Sequence, residues 1–311
     1  MPSFSCVAGN SAASGLRLDR YFAENLKLLT RSQIKTRNLK ASVNGREVKI
    51  SRLIREGDKL DFFWDDPLPI DLVPENIPLD IIYDDDRVAV INKAQGMVVH
   101  PGAGNRTGTL ANALYFRSLE KNAADKFITN NLRPGIVHRL DKDTSGLIIT
   151  AWDEEAHFFL AEQFRQRKVI KTYAAIVRGC PAEKKGLIDM PIKRSKNNRK
   201  LFTADITGKQ SLTFYQVVKS WGDYSLLLLR LKTGRTHQIR VHLKHLGNPI
   251  IGDPLYGKCG NPQHGKQNTG FQNQTLMLHA KRLSIILPDN KKKQTFRTSF
   301  PERFYGFFNH D

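Results

Sequence analysis

The sequence is poor in the residues that build disulfide scaffolds and structural zinc sites. Among its 311 residues there are three cysteines, Cys6, Cys180 and Cys259, which lie far apart and form no C-x-x-C pair. An odd number of widely spaced cysteines argues against a disulfide framework or a structural zinc site and favours a reducing compartment. We therefore expect a cytoplasmic protein.

Long hydrophobic runs are also missing. No stretch approaches the roughly 18–20 apolar residues that a membrane-spanning helix requires. The first segment, "MPSFSCVAGNSAASGLRLDRYF", lacks the charged-then-apolar order of a signal peptide. We predict no membrane association and a flexible tail over residues 1–13. At 40% hydrophobic, a chain of this length can fill one large domain and one small one.

Acidic residues are scarce relative to basic ones. The chain has 49 lysines and arginines against 30 aspartates and glutamates, which gives a formal net charge of +19. Such a field attracts polyanions, of which nucleic acid is the commonest large one. An anionic membrane surface and a basic surface kept for solubility are the alternatives. No basic amphipathic helix with an aromatic face supports the membrane alternative.

Residues 14–66 read as a small first domain. Apolar residues at helical spacing in "LRLDRYFAENL" predict a helix, and a second short helix is predicted in "TRSQIKTRNLKA" with Thr30 as its N-cap. Asn44-Gly45 predicts a tight hairpin in "SVNGREVK". A final strand is predicted in "REGDKLDFFW".

This first domain is rich in basic side chains, and it has few carboxylates to balance their charge. The candidate RNA-binding residues here are Arg31, Lys35, Arg37, Lys40 and Arg46. A solvated basic face of a helix pair is one interpretation. We favour a surface that follows the phosphates of a nucleic acid, because lysine and arginine supply such contacts.

A proline-rich linker is predicted over residues 67–78, and a larger domain follows over residues 79–311. A hairpin is predicted in "LDIIYDDDRVAVINKA", and helices are predicted after Asp153 and in "GRTHQIRVHLKHLG", which ends at Gly247. The polar segment "YGKCGNPQHGKQNTGFQNQT" predicts a surface loop. Strands are more frequent than helices, and the helices occur at irregular intervals between them. We therefore predict an α+β fold with a mixed or antiparallel sheet.

The segment "GIVHRLDKDTSGLIITA" concentrates charge between apolar runs, and several chemistries compete for it. The "DKDT" stretch from Asp141 to Thr144 matches a phosphatase D-x-D pair, but His138 and Arg139 interrupt the apolar run that should precede it. A hydrolase triad built on Ser145 and His138 lacks the G-x-S-x-G elbow. A further possibility is a metal site formed by His237, His242 and His245. Their spacing does not place all of them on one helical face.

Asp141 is the remaining candidate, flanked by Arg139 and Lys142. Cations this close hold an aspartate ionised. An ionised carboxylate can act as a covalent nucleophile at a sugar carbon or on a polarised ring. The alternative is a salt-bridged surface loop.

Several longer motifs decide between these interpretations by resemblance. "HRLDKDTSGL", "KTYAAIVRG", "LKTGRTHQIRVHLKHLGNPIIGDPLYG" and "LHAKRLSI" resemble, in order, the four motifs of the RluA-type pseudouridine synthases. "VINKAQGMVVHPGAGNRTGTLANAL" is similar to the large-subunit ribosomal RluD group. Residues 14–66 resemble the alpha-L RNA-binding domain, a type first named for a ribosomal small-subunit protein. Ala94 stands where the family usually has proline. Residues 191–211 are only loosely similar, which leaves the RNA target open.

The resemblance implies an isomerase that converts uridine to pseudouridine in RNA without a cofactor or metal. It implies that Asp141 is the nucleophile, at either the sugar C1′ or the ring C6. Tyr173 would stack on the flipped base and serve as a base for a sugar proton, and Leu278 would form the wall under the uracil. Arg240 lies on the face of its helix that is free to pair with Asp141.

The remaining implied roles concern RNA. Arg139 would fill the space that the flipped base leaves, and Lys142 and Arg235 would contact the RNA. The expected partner is ribosomal RNA, most naturally 23S RNA of the large subunit or its assembly intermediate, bound by a monomer. An RNA-binding module with a dead catalytic domain and a ribosome-assembly factor remain as alternatives from other functional classes.

Overall fold

The computed structural model describes residues 2–9, 15–26, 28–29, 34, 37–65, 72–102, 104–127, 135–257, 274–289 and 291–308. The chain divides into two compact units, residues 1–71 and 72–311, and each has its own hydrophobic core. The helix predicted to begin at Thr30, with Arg31 and Lys35, lies largely outside the described residues. So does most of the polar segment that begins at Tyr256, including Cys259.

The described part of the first unit contains a small antiparallel sheet and a helical segment that precedes β2. Its strands follow the order β1-β4-β2-β3. The elements are β1 (Ser3–Val7), α1 (Leu18–Tyr21) continued by a wider π-helical turn (Phe22–Leu26), β2 (Lys40–Val43), β3 (Arg46–Val48) and β4 (Lys59–Phe63).

The predicted hairpin at Asn44-Gly45 is confirmed. Both residues adopt positive φ, 52° and 77°, which is the conformation that a two-residue turn matching the strand twist requires. β2 and β3 pair on either side of this turn. The core of this unit contains an aromatic cluster, in which the Phe22 ring lies 4.6 Å from Phe62 and 5.3 Å from Trp64, measured between ring centroids.

The prediction of a flexible tail over residues 1–13 is corrected, because part of this segment forms a strand. Ser3–Val7 form β1, which pairs antiparallel with β4 from Ser3↔Phe63 to Val7↔Lys59. Phe4 and Cys6 alternate with serines in this short segment, but only Cys6 is partly buried, so the edge strand has almost no buried face. Its pairing comes from backbone hydrogen bonding to β4.

The second unit is built on a nine-stranded sheet with the order β5-β6-β7-β14-β8-β13-β12-β9, and β15 pairs with β14. A separate ribbon joins β10 and β11. The strands are β5 (Ile81–Asp84), β6 (Val88–Lys93), β7 (Ser145–Ala151), β8 (Ile170–Arg178), β9 (Lys185–Asp189), β10 (Ile192–Arg194), β11 (Phe202–Ala204), β12 (Leu212–Trp221), β13 (Tyr224–Leu231), β14 (Leu278–Ile286) and β15 (Lys293–Arg297). The helices are α2 (Leu110–Glu120), α3 (Ala124–Phe127), α4 (Glu154–Arg165), α5 (Gln238–His245) and α6 (Glu302–Phe308).

This arrangement confirms an α+β fold with a mixed sheet. Among the described strands of the large sheet, β7 and β14 pair in parallel and the other neighbours pair antiparallel. The helix predicted after Asp153 is α4, and the Asp153 carboxylate accepts a hydrogen bond from Ala156 N at 2.8 Å. The helix predicted to end at Gly247 is α5, with Gly247 at φ 87°.

The predicted linker is too long at its C-terminal end. Residues 72–78 belong to the second unit, because the Val73 carbonyl accepts a hydrogen bond from Asn112 and the Glu75 carboxylate accepts one from Gly108 N. Prolines in this stretch prevent regular structure, yet they leave the carbonyls and side chains free to dock on α2. Residues 66–71 lie outside the described part of the chain. In that described part, no helix is long and apolar enough to cross a membrane.

Candidate active site

A cavity of about 460 Å³ opens in the second unit between β8, β14, the loop before β7 and the start of α5. The structure brings most of the predicted site residues of this unit to it. Its lining includes Asp141, Tyr173, Arg240, Leu278, Arg139 and Arg235. Lys142 is exposed and does not line the cavity, although it is the next residue after Asp141.

Hydrogen bonds to the backbone carbonyls of the loop that carries Asp141 hold this loop in place. Gly96 N donates to the Lys142 carbonyl at 2.9 Å, and Thr144 N donates to the Asp141 carbonyl at 3.1 Å. The Gln95 amide donates to the Asp143 carbonyl at 2.9 Å. These bonds fix the direction in which the Asp141 carboxylate leaves the loop.

Lys93, at the end of β6, completes this support. Its side chain is buried, and Nζ donates to the carbonyls of Ala94, Met97 and Lys142. Burial lowers the pKa of Lys93 to about 8, while the nearby carboxylates of Asp143 and Asp141 act in the opposite direction. The ammonium is therefore still largely charged at neutral pH and places a positive potential under the Asp141 loop. The sequence motifs above predict no role for Lys93, although a lysine that ends the apolar run "VAVIN" is a usable signal.

Arg240 on α5 connects Asp141 to a second carboxylate. Its guanidinium Nη1 lies 3.4 Å from Asp141 Oδ2, and its side chain is 4% exposed. Nε and Nη2 donate to the two oxygens of Asp253 at 2.8 and 2.7 Å. A planar guanidinium held in this bidentate manner has a fixed orientation, so its third nitrogen points at Asp141.

Asp253 is a site residue that the sequence analysis did not assign. Its side chain is fully buried, and Oδ1 also accepts from the backbone N–H groups of Leu255 and Tyr256. The preceding Gly252 has φ +70°, and a Cβ there would overlap the Thr275 carbonyl. An aspartate after the apolar run in "NPIIGDP" was the available signal, but its pairing with Arg240 is a tertiary contact.

His237 lies just before α5 in a left-handed conformation, φ 57° and ψ 19°. Its Nε2 is 3.9 Å from Asp141 Oδ2, and its Nδ1 is 2.8 Å from the Tyr256 hydroxyl. Burial lowers the pKa of His237, and Asp141 opposes that shift. The Tyr256 ring also lies against Arg240, 5.1 Å from its guanidinium carbon. Tyr256 therefore braces both neighbours of Asp141.

Tyr173 and Leu278 form the apolar side of the cavity. They lie on adjacent strands, where Tyr173 is in register with Ala280, and both side chains are buried. Burial, with a smaller effect of the Asp141 charge, raises the pKa of the Tyr173 phenol. The hydroxyl is therefore protonated at neutral pH.

Further cations surround the mouth of the cavity. Arg139 is exposed there, and Arg235 is half-buried with Nε 3.4 Å from the Gln210 carbonyl. Lining cations that the sequence analysis did not single out are Arg165, Arg167, Lys171 and Lys232. In the first unit, Lys40 and Arg46 are exposed and Arg37 is half-buried.

The geometry gives little support to two of the alternatives, a hydrolase triad built on Ser145 and His138 and a histidine metal site. The half-buried His138 ring accepts a hydrogen bond from Ile149 N at 3.0 Å and stacks on Phe164, while Ser145 Oγ bonds His279, so Ser145 and His138 form no catalytic pair. His242 contacts Thr213 and the Met190 carbonyl. Across the described ranges, no cluster of three histidine, cysteine or acidic residues could hold a metal ion.

Comparison with known proteins gives independent evidence on the family of this chain. The family model described as RNA pseudouridylate synthase matches residues 87–245. The chain is 42% identical to the ribosomal large subunit pseudouridine synthase D of Borreliella burgdorferi, covering 94% of this chain and 89% of that protein. It is 46% identical to an uncharacterized RNA pseudouridine synthase of Chlorobaculum parvum, over 92% of this chain and 91% of the relative. The solved structure of human RNA pseudouridylate synthase domain containing 1 matches with a TM-score of 0.56 at 26% identity, covering 74% of this chain and 86% of that one.

Proposed function

The chain belongs to the RNA pseudouridylate synthase family, and from this premise we propose that it isomerises specific uridines of 23S ribosomal RNA with Asp141 as the nucleophile. Relatives from Borreliella burgdorferi and Zymomonas mobilis carry the name ribosomal large subunit pseudouridine synthase D, which supports this choice of RNA. The activity class is that of an isomerase acting on RNA.

One observation carries the assignment of the nucleophile. Among the described residues that line the cavity, Asp141 is the only carboxylate. Its carboxylate lies 3.4 Å from the Arg240 guanidinium, and Leu278 and Tyr173 line the same cavity. A charged oxygen beside an apolar slot suits a reaction in which a planar base lies against the wall while its sugar meets the carboxylate.

The reaction conserves every atom of the nucleotide. The N1–C1′ bond breaks, a C5–C1′ bond forms, the proton on C5 leaves to solvent and N1 takes up a proton. Attack by Asp141 at C1′ gives a glycosyl ester and a detached uracil anion, whereas attack at C6 gives an adduct of the ring. Either route needs the uridine outside its stack, at a cost of a few kcal/mol. No redox step or group transfer enters the balance, so no cofactor is required.

The remaining residues act around that carboxylate. Arg240, oriented by Asp253, holds a positive charge 3.4 Å from the Asp141 carboxylate in a partly buried site. Leu278 packs under the uracil and Tyr173 stacks beside it. Because its phenol stays protonated, Tyr173 contributes as a neutral ring and a hydrogen-bonding hydroxyl, which weakens the case for it as a base. Arg139 at the mouth occupies the place that the base leaves in the RNA stack.

The first unit would supply affinity. We infer that it is an alpha-L type RNA-binding domain whose exposed cations, with Lys142 and Arg235 near the cavity, contact phosphates. A basic protein of this kind acts in the cytoplasm, as a monomer on ribosomal RNA or its assembly intermediate. Its +19 charge supports binding to a polyanion.

Tritium release from ribosomal RNA labelled at C5 of uridine tests the proposal. The wild-type protein should release tritium in step with pseudouridine formation, and an Asp141→Asn variant should bind the RNA and release none. Mapping pseudouridines in ribosomal RNA of a deletion strain then identifies the positions. Binding without release by the wild type would instead favour a dead catalytic domain or an assembly factor.

A further inference from the structure

The residues of the candidate active site come from two halves of one sheet. Asp141 precedes β7, whereas Tyr173 and Leu278 belong to β8 and β14. β7 and β14 are the strands at which these halves meet, and they are the parallel pair. The distance from nucleophile to apolar wall therefore depends on how firmly β7 is held against β14.

The backbone ladder at this junction is short. Two residue pairs, His279↔Ser145 and Ala280↔Gly146, join β7 to β14, whereas six pairs join β6 to β7. Gly146 has φ +111°, and a Cβ there would overlap the Ala280 backbone. The strands therefore approach closely at one point and share few hydrogen bonds beyond it.

Side chains extend the junction, and Arg303 on α6 is central among them. Its Nη2 donates to Ser145 Oγ at 2.7 Å and to the Leu278 carbonyl at 3.2 Å. Its Nε donates to the Leu276 carbonyl at 3.3 Å, which also accepts from the Gln95 amide beneath the Asp141 loop. One guanidinium thus bonds the first residue of β7 and the first residue of β14.

Ser145 Oγ connects Arg303 to β14. A guanidinium only donates, so Ser145 Oγ accepts a hydrogen bond from Arg303. The same oxygen shares a hydrogen bond with His279 Nδ1, 2.8 Å away. Burial lowers the pKa of His279 to about 4, so its ring is neutral at neutral pH. This chain of hydrogen bonds crosses from α6 to β7 to β14.

Among the residues that the structure describes, hydrogen bonds rather than an ion pair hold Arg303 at the junction. In the part of the chain that the structure describes, no carboxylate lies within salt-bridge distance of its guanidinium, and burial lowers its pKa to about 10. Burying such a cation is unfavourable unless its donors are used. The buried rings of Phe304 and Phe307 anchor α6, which holds Arg303 at the junction.

We propose that Arg303 is a positioning residue for the isomerisation, which ties the β7 end of the Asp141 loop to the β14 wall that bears Leu278. The proposal rests on the function proposed above. Arg303 touches no reacting atom in this role. Its removal should leave RNA binding intact and allow the nucleophile to sit at a looser distance from the apolar wall.

The test compares Arg303→Met and Arg303→Lys with the wild type and with Arg297→Met, which removes an exposed cation from β15. In tritium release, Arg303→Met should lower kcat by about 10- to 100-fold, the size of effect that a small misplacement produces, while KM changes little. Arg303→Lys should recover part of the loss, because an ammonium can reach Ser145 but cannot copy the fork. Arg297→Met should retain the wild-type kcat.

Amide hydrogen exchange of the free proteins gives a readout that needs no turnover. Arg303→Met should speed exchange at residues 145–147 and 278–280 and leave β12 and β13 unchanged. Unchanged kcat with unchanged exchange at the junction would overturn the proposal. So would equal acceleration throughout the second unit with kcat and KM lost together, since that means a general loss of stability. If the wild type itself released no tritium, the proposed function would fail, and the exchange at the junction alone would decide whether Arg303 holds the strands together.

Discussion

Two cations of the first unit and two of the second hold their positive charge in opposite ways. Lys40 and Arg46 of the first unit are exposed on a small sheet. Lys93 and Arg240 of the second unit are buried, and each of their nitrogens for which the structure shows a hydrogen bond donates to a carbonyl or a carboxylate. The same residue types are thus suited to long-range attraction in one unit and to fixing a carboxylate in the other.

Composition alone cannot separate these two uses. A net charge of +19 predicts a polyanionic partner, but it does not tell which cations meet that partner. Burial makes the distinction, because a buried cation interacts strongly with its neighbours and weakly with a distant phosphate through solvent. The comparison therefore predicts large effects on turnover from substitutions around Asp141 and small effects on affinity from single exposed cations.

The largest effect should come from Asp141→Asn. The amide keeps the shape of the side chain but loses the anionic oxygen that forms the covalent bond. We expect turnover to vanish in the tritium-release assay while RNA affinity in filter binding stays within a few-fold. Asp86→Asn, on the exposed turn before β6 and outside the cavity lining, is the matched control. Measurable turnover by Asp141→Asn would exclude this residue as the nucleophile.

Arg240→Met should come next, because it leaves Asp141 and the buried Asp253 without their shared cation. Removing one partner of a buried ion pair costs about 3–5 kcal/mol, because the other charge stays buried without a partner. If the transition state bears this cost, turnover should fall by orders of magnitude. Arg240→Lys should recover only part of the rate, since one ammonium cannot hold both carboxylates in a fixed plane. Circular dichroism must show that each variant is folded.

The matched control for that substitution is Arg230→Met, which removes an exposed arginine from β13. It should keep the wild-type turnover. A rate for Arg240→Met close to that of Arg230→Met would show that the 3.4 Å contact with Asp141 has no part in the reaction.

Residues that are close in sequence were the easiest to predict. The Asn44-Gly45 hairpin, the cap at Asp153 and the stop at Gly247 follow from local conformational preferences, and the structure has all of them. The predicted phase of α5, with Arg240 on a face away from Ile239 and Leu243, does not describe the helix: residues 238 to 243 are all buried, and Leu243 lies three residues after Arg240 on the same face.

What the sequence could not supply are contacts between distant segments. Asp253 meets Arg240 across 13 residues, and the two belong to different elements. Lys93 reaches the Lys142 carbonyl across 49 residues. The edge strand β1 has too little buried surface to show a pattern, and the end of the linker is decided by hydrogen bonds to α2. Each of these depends on the tertiary fold, which local propensity does not determine.

Acid should destabilise the second unit through the half-buried His138. His138 accepts from Ile149 N, and burial lowers its pKa from the ordinary 6.5 to about 3. Between these two values the unfolded chain binds a proton that the folded chain does not, so the free energy of unfolding falls as the pH falls. One such proton contributes a slope of about 1.4 kcal/mol per pH unit. Thermal unfolding from pH 7 to pH 4 measures it.

A His138→Gln variant keeps a hydrogen-bond acceptor and removes the titration. Its unfolding midpoint should fall less steeply across that range, whereas His245→Gln, on the exposed end of α5, should follow the wild type. Parallel curves for His138→Gln and the wild type would mean that the acid sensitivity has another source.

The smallest effect should come from the exposed cations of the first unit, and it should appear in affinity alone. In a Lys40→Gln, Arg46→Gln double variant, both substituted side chains are exposed, so the core should be unaffected. If each one contacts a phosphate, each contributes about 0.7–0.9 to the slope of log affinity against log salt, and the double variant should flatten that slope by about 1.4–1.8. Turnover at saturating RNA should not change, because the residues around Asp141 are untouched.

The control is a Lys291→Gln, Lys293→Gln double variant, which removes the same charge from exposed positions of the second unit. An equal slope in both double variants would show that the first unit attracts RNA no more than any basic surface does, and a fall in saturated turnover would show that it also places the target uridine at Asp141.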